Sequence, residues 1–520
     1  MPYSLPLMRV TVVLSWAVIL TLAIGLPVLH AVNASMEKAA AARVVTTTRA
    51  VELPGTGSDV LPDAGDSAEA PPVSLELRFA SKYAVGTQRL FGVTDPTLIE
   101  QLDKQARSDT DRVAIAVMAG EIKGRDAALG RLAAIDSADA RAFERAYAST
   151  QPAADQPLHG GSFDAADHAG RYGFFADLAA ANGKPAEQRQ AVDARAKEAV
   201  YRAMILLGLG LGALVAGVLL CVAGIVLAST GNLRFRTTAP ILPTAYYVEA
   251  FALYLVLLLG GSALTTLLPA AWPILFKLLP LSAVVVFAAA WPLLRARLAG
   301  ARPDRGTGFQ PVFASDVGNA NLAAGAADHS SGARATAEAM SLPLPPPPGI
   351  STQRSTTWQA FQQDVGLHTG AGVLKEIAFG VLGYLAGLPI VGLALLVVLF
   401  LSRWAEQTTS HPIVQTMDQT SVWSLLLLAA VFAPITEELM FRGLFVSHLR
   451  RGMGVALAAV LSGLVFAAVH PQGWLAIPAL MTIGGWFAVV RQWRGSLIAS
   501  TVMHAINNGV IVVVMVGLLK

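Results

Sequence analysis

The sequence predicts an all-α fold: a polytopic membrane helix bundle of about nine spans, with a mostly helical insertion outside the cytoplasm. Three observations carry that expectation. Of the 520 residues only 14% are charged and 54% are hydrophobic, with a mean hydropathy of +0.54, whereas soluble proteins are about a quarter charged. Apolar runs recur along the chain, most of them near the ~20 residues that a crossing helix needs. Between the first and second run lies one long polar segment of different composition.

The first run, Val10–Val32, follows Arg9 and is uncharged. It exceeds the ~7–15 apolar residues of a signal peptide core, so residues 1–32 are expected to form a retained membrane anchor. Residues 33–200 would then be translocated. Val51–Val73 is rich in Gly, Pro, Asp and Ser, while Pro96–Ala148 and His168–Lys197 are Ala-rich with charges at helical spacing, which predicts a small extracytoplasmic helical domain. This segment carries 19 Lys and Arg against 24 Asp and Glu, leaving 19 against 11 elsewhere. The basic excess therefore belongs to the membrane part, where it orients spans, and no nucleic-acid partner is expected. The single cysteine, Cys221, excludes an intrachain disulfide and a cysteine-based metal cluster.

Residues 201–299 hold the second to fourth expected spans, Ala203–Ala228, Ala250–Pro269 and Leu278–Leu294, followed by Arg234 and Arg236 or by Arg295, Arg297, Arg302 and Arg305. Glu249 and Lys277, near span ends, are expected to snorkel to the interface. Residues 300–357 turn Gly/Ala/Ser-rich and end in Pro343-Leu344-Pro345-Pro346-Pro347-Pro348, which predicts a flexible cytoplasmic linker with a stiff tip. Residues 358–520 open with an amphipathic stretch, Trp358–Glu376, before the runs Ile377–Ser402, Ser421–Val446, Val455–Val469, Trp474–Val490 and Ser496–Leu519. The basic clusters, including Arg450-Arg451 and Arg491/Arg494, all follow even-numbered spans. Placing them inside gives a cytoplasmic amino terminus and an extracytoplasmic 33–200 segment. The Ala-rich composition suggests a bacterial plasma (inner) membrane.

Three polar patterns interrupt the last spans: Glu437-Glu438-x-x-x-Arg442, Phe466-x-x-x-His470 and His504-x-x-x-Asn508. Ionisable groups at membrane depth cost several kcal/mol unless they face a protein interior or a wet cavity. Their recurrence on successive spans therefore predicts one shared polar site. Residues four apart share a helix face, so Glu438 and Arg442 can pair, as can His504 and Asn508. Glu437 and Glu438 project about 100° apart, which leaves Glu437 free for chemistry. A Glu and a His converging on one water can generate a nucleophile for peptide hydrolysis. A second His with an Asn can stabilise an oxyanion. There is no G-x-S-x-G elbow and no H-E-x-x-H pair, which argues against serine-hydrolase and zincin chemistry.

These patterns, with Gly443 after Arg442 and Gly495-Ser496-Leu497 before His504, resemble the signature of the CAAX-processing and bacteriocin-processing intramembrane glutamic endopeptidases, which include the Rce1-type prenyl-protein proteases. The resemblance runs from about Gly366 to the carboxyl terminus. It implies Glu437 as general base, His470 as its partner on the water, His504 and Asn508 as oxyanion site, Glu438 and Arg442 in support, and Phe466 packing the pocket. It also implies a metal-independent endopeptidase with no cofactor. The substrate would be a membrane-associated or lipidated polypeptide, and the surrounding lipid the other partner. Two alternatives stand beside it: a His₂Glu zinc set of Glu437, His470 and His504, and a non-enzymatic scaffold or bacteriocin self-immunity protein built on the same bundle.

Overall fold

The computed structural model describes residues 8–27, 72–148, 163–233, 240–266, 274–299, 356–404 and 421–519, a few loop positions excepted. The Pro343–Pro348 run, His159 and His411 lie outside them. Among the described residues the chain is 83% helical, with no strands. Among the described residues six helices are long and apolar enough to cross a membrane: Met8–Pro27, Ala186–Ser229, Val373–Ser402, Val422–Leu449, Trp474–Arg494 and Leu497–Gly517. Ala245–Gly261 and Val455–Ala468 are shorter apolar helices.

After α1 (Met8–Pro27), the polar segment folds into seven helices: α2 (Leu75–Phe91), α3 (Leu98–Asp103), α4 (Asp109–Lys123), α5 (Arg125–Leu132), α6 (Ala138–Ala148), α7 (Ala165–Tyr172) and α8 (Phe174–Ala180). Helix α4 is central, because every side chain from Val113 to Ala119 is buried. Its start is capped by Ser108, whose hydroxyl accepts from the Asp111 amide at 3.1 Å, and Asp109 and Asp111 complement the positive end of the helix dipole. Helix α9 (Ala186–Ser229) is one unbroken rod of 44 residues, about 66 Å long at 1.5 Å per residue. Its first half packs on α2 and its second half on α13 (Val373–Ser402). The polar domain thus shares its last helix with the second span.

Helices α10 (Ala245–Thr266) and α11 (Ile274–Leu298) form an antiparallel pair. Glu249 does not snorkel. Its side chain is 9% exposed and takes a two-pronged ion pair from Arg295 at 2.8 and 3.1 Å, with the Trp291 indole donating at 3.2 Å. Pairing within the bundle beats reaching for water because Arg295, one helix away, supplies the countercharge. The side chain of Lys277 is not among those described.

The expected amphipathic stretch Trp358–Glu376 splits in two. Helix α12 (Thr357–Val365) starts in a capping box between Thr356 and Gln359 and stops at Gly366, whose φ of +86° suits glycine. Asp364 near its end accepts from the amides of Ile241 (2.8 Å) and Leu242 (2.8 Å) and from the Tyr247 hydroxyl (2.6 Å). It thereby ties the segment before α10 to the carboxy-terminal bundle. Burial pushes its carboxyl above the usual carboxylate range, against the pull of these donors. Glu376 already belongs to α13, where it is fully buried and paired with Arg494 at 2.8 and 3.0 Å.

The bundle closes with α14 (Val422–Leu449), α15 (Val455–Ala468), α16 (Ile477–Arg494) and α17 (Leu497–Leu519). Its core is aromatic. Phe251 of α10 stacks on Phe445 at 4.4 Å and meets Phe441 edge-on at 5.0 Å, and Phe441 reaches Phe466 of α15 at 5.2 Å. Lipid tails compete for apolar contact, so close packing rather than hydrophobic burial holds such helices together. At Gly463 of α15 a Cβ would overlap the Met481 carbonyl and sit 2.7 Å from the Gly485 amide, so α15 and α16 touch through bare backbone there. Helix α1 joins the same core: Ile19 is fully buried, Trp16 packs 5.6 Å from Phe445, and the Trp16 indole donates to His448 at 3.1 Å.

Candidate active site

Helix α14 carries the acidic half of the site, and its ladder is irregular. Leu428–Phe432 and Glu438–Phe445 are π-helical, with Pro434 between them. Proline has no amide to donate, and π turns re-aim side chains where function demands it. In this frame Glu438 and Arg442 are both fully buried and form an ion pair at 2.9 Å. Arg442 also donates to the Gly484 carbonyl of α16 at 2.9 Å, and its guanidinium lies 4.6 Å from the Phe466 ring centre and 5.3 Å from that of Phe487. A guanidinium at this depth is held by one carboxylate, one carbonyl and three ring faces, that of Phe441 at 5.7 Å being the third.

The two histidines arrive from different elements and are fixed in the same way. The His470 ring, in the turn after α15, donates Nδ1–H to the Phe466 carbonyl at 2.6 Å and packs, tilted by 47°, against the Phe466 ring at 4.2 Å. The His504 ring, inside α17, is 3% exposed, sets Nδ1 3.0 Å from Glu438 and lies 5.1 Å from Phe487. A carboxylate can only accept, so His504 Nδ1 carries a proton. Each ring therefore turns Nε2 toward the gap. Glu437 Oε2 faces both nitrogens, 3.8 Å from His470 and 3.7 Å from His504. These separations are too long for direct hydrogen bonds, and Glu437 Oε2 is buried with no partner.

Access is graded. The side chains of Glu437 and His470 are 21% and 20% exposed, while Glu438, Arg442 and His504 are sealed. Asn508 lies one turn beyond His504 but is fastened elsewhere: Nδ2 donates to the Ala429 carbonyl of the first π stretch at 2.9 Å, and Oδ1 accepts from Asn507 at 3.2 Å. Five of the six expected site residues thus form one contiguous cluster. The sixth shares its helix and braces the neighbouring turn of α14. Among the described residues no group of three or more His, Cys, Asp and Glu side chains is arranged to hold a metal.

The model of one protein family, described as type II CAAX prenyl endopeptidase Rce1-like, matches residues 419–510. Over these residues the carboxy-terminal part of the chain is similar to that family. All six site residues fall within the match. Helix α13 lies outside it, so the matched segment starts later than the resemblance from about Gly366 onward. At the level of the family, the match supports a CAAX-type intramembrane protease, a hydrolase that meets a polypeptide in a lipid environment. No curated protein and no solved structure matches the chain.

Several residues around the site gave no sequence signal. The Gly484 carbonyl and Phe487 on α16 sit in an ordinary apolar run, and nothing marks them out as the floor under Arg442 and His504. His448 reads as an interface residue by position. In the structure it is a joint, with Nδ1 on the Thr244 carbonyl at 2.9 Å and Nε2 accepting from Trp16.

Proposed function

We propose that the chain is a glutamic-type intramembrane endopeptidase that hydrolyses a peptide bond in a membrane-anchored or lipidated polypeptide. The observation that carries this reading is the convergence of the unpartnered Glu437 Oε2 on two imidazole Nε2 atoms at 3.7 and 3.8 Å. One water oxygen in that gap can touch all three.

His470 spends its N–H on the Phe466 carbonyl, so its Nε2 is an acceptor and holds one O–H of the water. Glu437 takes the other proton as the oxygen attacks the scissile carbonyl carbon. The carbonyl π pair moves onto oxygen. His504 becomes the donor to that oxyanion through Nε2–H when its ring is an imidazolium, with Nδ1–H held by Glu438. With His504 charged, the group Glu437, Glu438, Arg442 and His504 sums to zero, so the cluster need not bury net charge. Asn508 adds its second Nδ2 hydrogen from the same helix face. The proton on Glu437 then passes to the leaving nitrogen, the C–N bond breaks, and the carboxylate is restored.

The structural half of the cluster has a separate task. Arg442 pairs with Glu438, Glu438 keeps His504 oriented, and the aromatic rings of Phe466 and Phe487 exclude water behind them. The zinc alternative uses the same three atoms as ligands and differs in what activates the water. The scaffold alternative needs the bundle but none of its proton chemistry.

The test is cleavage of a library of membrane-anchored peptides by the full chain in detergent, followed by mass spectrometry. Wild type should cut, and Glu437→Ala should lose cleavage by at least a hundredfold while keeping its elution volume. Equal cleavage by both proteins would remove Glu437 from the chemistry. A wild-type phenotype in cells carrying Glu437→Ala and His504→Ala would favour the scaffold.

A further inference from the structure

A second polar feature lies at the other end of the bundle from His470; it shares Arg442 with the site but none of the groups proposed to touch the water. Where the carboxy-terminal ends of α14 and α16 meet the segment before α13, a cavity of about 220 Å³ opens between the helices. At ~30 Å³ per water it holds several waters or one compact oxyanion. Its walls include Asp364, His368, Arg442, Arg450, Arg491 and Arg494.

Four guanidinium groups around one cavity need countercharge, and the local carboxylates supply only part of it. Glu438 is committed to Arg442 and Glu376 to Arg494. The Asp364 carboxyl is taken up by Ile241, Leu242 and Tyr247. Among the described residues neither Arg450 nor Arg491 has a carboxylate within ion-pair distance. Arg491 is 8% exposed, and its single hydrogen bond, to the Asp364 carbonyl, is long at 3.3 Å. Its Nε is buried with no partner, as is that of Arg450, whose Nη1 reaches only the Met453 carbonyl at 3.0 Å. Burying donors unpaired is costly, and a guanidinium fork is shaped to give two parallel hydrogen bonds to an oxyanion.

The backbone leaves room for this arrangement. Gly366 passes directly over the Arg491 guanidinium, where a Cβ would come within 2.5 Å of Nη2. Trp358 of the adjoining α12 is 49% exposed and Gln363 and His368 are exposed at the cavity rim, so the opening lies where the bundle meets polar surroundings. Basic pockets between spanning helices at that level suit lipid head groups.

We propose that this cavity is an anion site that takes a phosphate group, with Arg450 and Arg491 as its ligands. The same chemistry is offered by a phospholipid head group or by free phosphate. Full-length protein in an uncharged detergent is titrated with inorganic phosphate, with a short-chain phosphatidylglycerol and with diacylglycerol as the phosphate-free lipid. Binding is read from the thermal midpoint and from native mass spectrometry. The expected result is saturable binding of at least one phosphate probe, at least tenfold weaker in Arg450→Gln and in Arg491→Lys. Phosphatidylglycerol alone would assign the site to lipid, and binding of inorganic phosphate as well would assign it to the phosphate group itself. Arg450 is the more exposed ligand, so Arg450→Gln decides the matter if Arg491→Lys does not fold. Unchanged affinity in Arg450→Gln, equal binding of diacylglycerol, or binding of neither phosphate probe would overturn the proposal.

Discussion

Replacing Arg442 by Met keeps an unbranched apolar stem and deletes the charge together with the guanidinium's hydrogen-bond donors. Glu438 is 0% exposed and would keep only the His504 ring within ion-pair distance. Breaking a buried pair by removing one partner costs about 3–5 kcal/mol, and the lost hydrogen bond to Gly484 adds about 1 kcal/mol. Against a total stability of ~5–15 kcal/mol that is a large share, so Arg442→Met should unfold far below wild type in a detergent thermal or denaturant melt. Glu438→Gln/Arg442→Met removes both charges, and Gln still accepts from His504. The double variant should therefore be more stable than Arg442→Met alone, with a coupling of at least ~2 kcal/mol in the cycle. An Arg442→Met protein within ~1 kcal/mol of wild type, or a double variant no better than the single, would refute the idea that this pair braces the site.

Other expectations follow from the packing. Gly463→Leu must force α15 from α16, because even a Cβ meets the Met481 carbonyl. A loss of at least ~1–3 kcal/mol and a displaced His470 should appear as a lower thermal midpoint together with lost cleavage. Trp16→Ala empties the contact with Phe445 and frees Nε2 of His448; because Trp16 is only partly buried, a cost of about 1–3 kcal/mol and faster proteolysis after α1 would mark that helix as part of the bundle. Asp364 has a folded pKa raised by burial. Its contribution to stability is therefore complete below the ordinary carboxylate value of ~3.9 and falls as the pH rises through the higher folded value. Asp364→Asn should flatten that portion of a midpoint-against-pH curve, and an unchanged curve would assign the dependence to another group.

The helical class and the position of the polar site were legible because both are written in local pattern. Long apolar runs give spans, and i,i+4 polar pairs inside them give a buried face. The pairing of Glu438 with Arg442 followed from that spacing, and the freedom of Glu437 from its 100° offset. What spacing alone did not reveal depends on contacts distant in sequence. Glu249 meets Arg295 across a helix pair, Trp16 meets His448 across 432 positions, and Arg491 and Arg494 read as topology markers although their side chains turn inward. The π stretches on α14 were equally hidden, since Pro434 alone does not say where the ladder will widen. Asn508 shares a face with His504 as expected, yet its amide goes to Ala429, because the π stretch of α14 presents a carbonyl there.

The central claim is that Glu437, and not a metal, turns a water into the nucleophile. The most direct measurement is the single-turnover cleavage rate of one identified peptide by wild type and Glu437→Gln, each with and without a strong chelator, alongside elemental analysis of the purified protein. The account predicts a rate at least a hundredfold lower in Glu437→Gln, no chelator effect on wild type and no stoichiometric zinc. Cleavage that survives Glu437→Gln would contradict it, and so would cleavage that disappears with chelator and returns with added zinc.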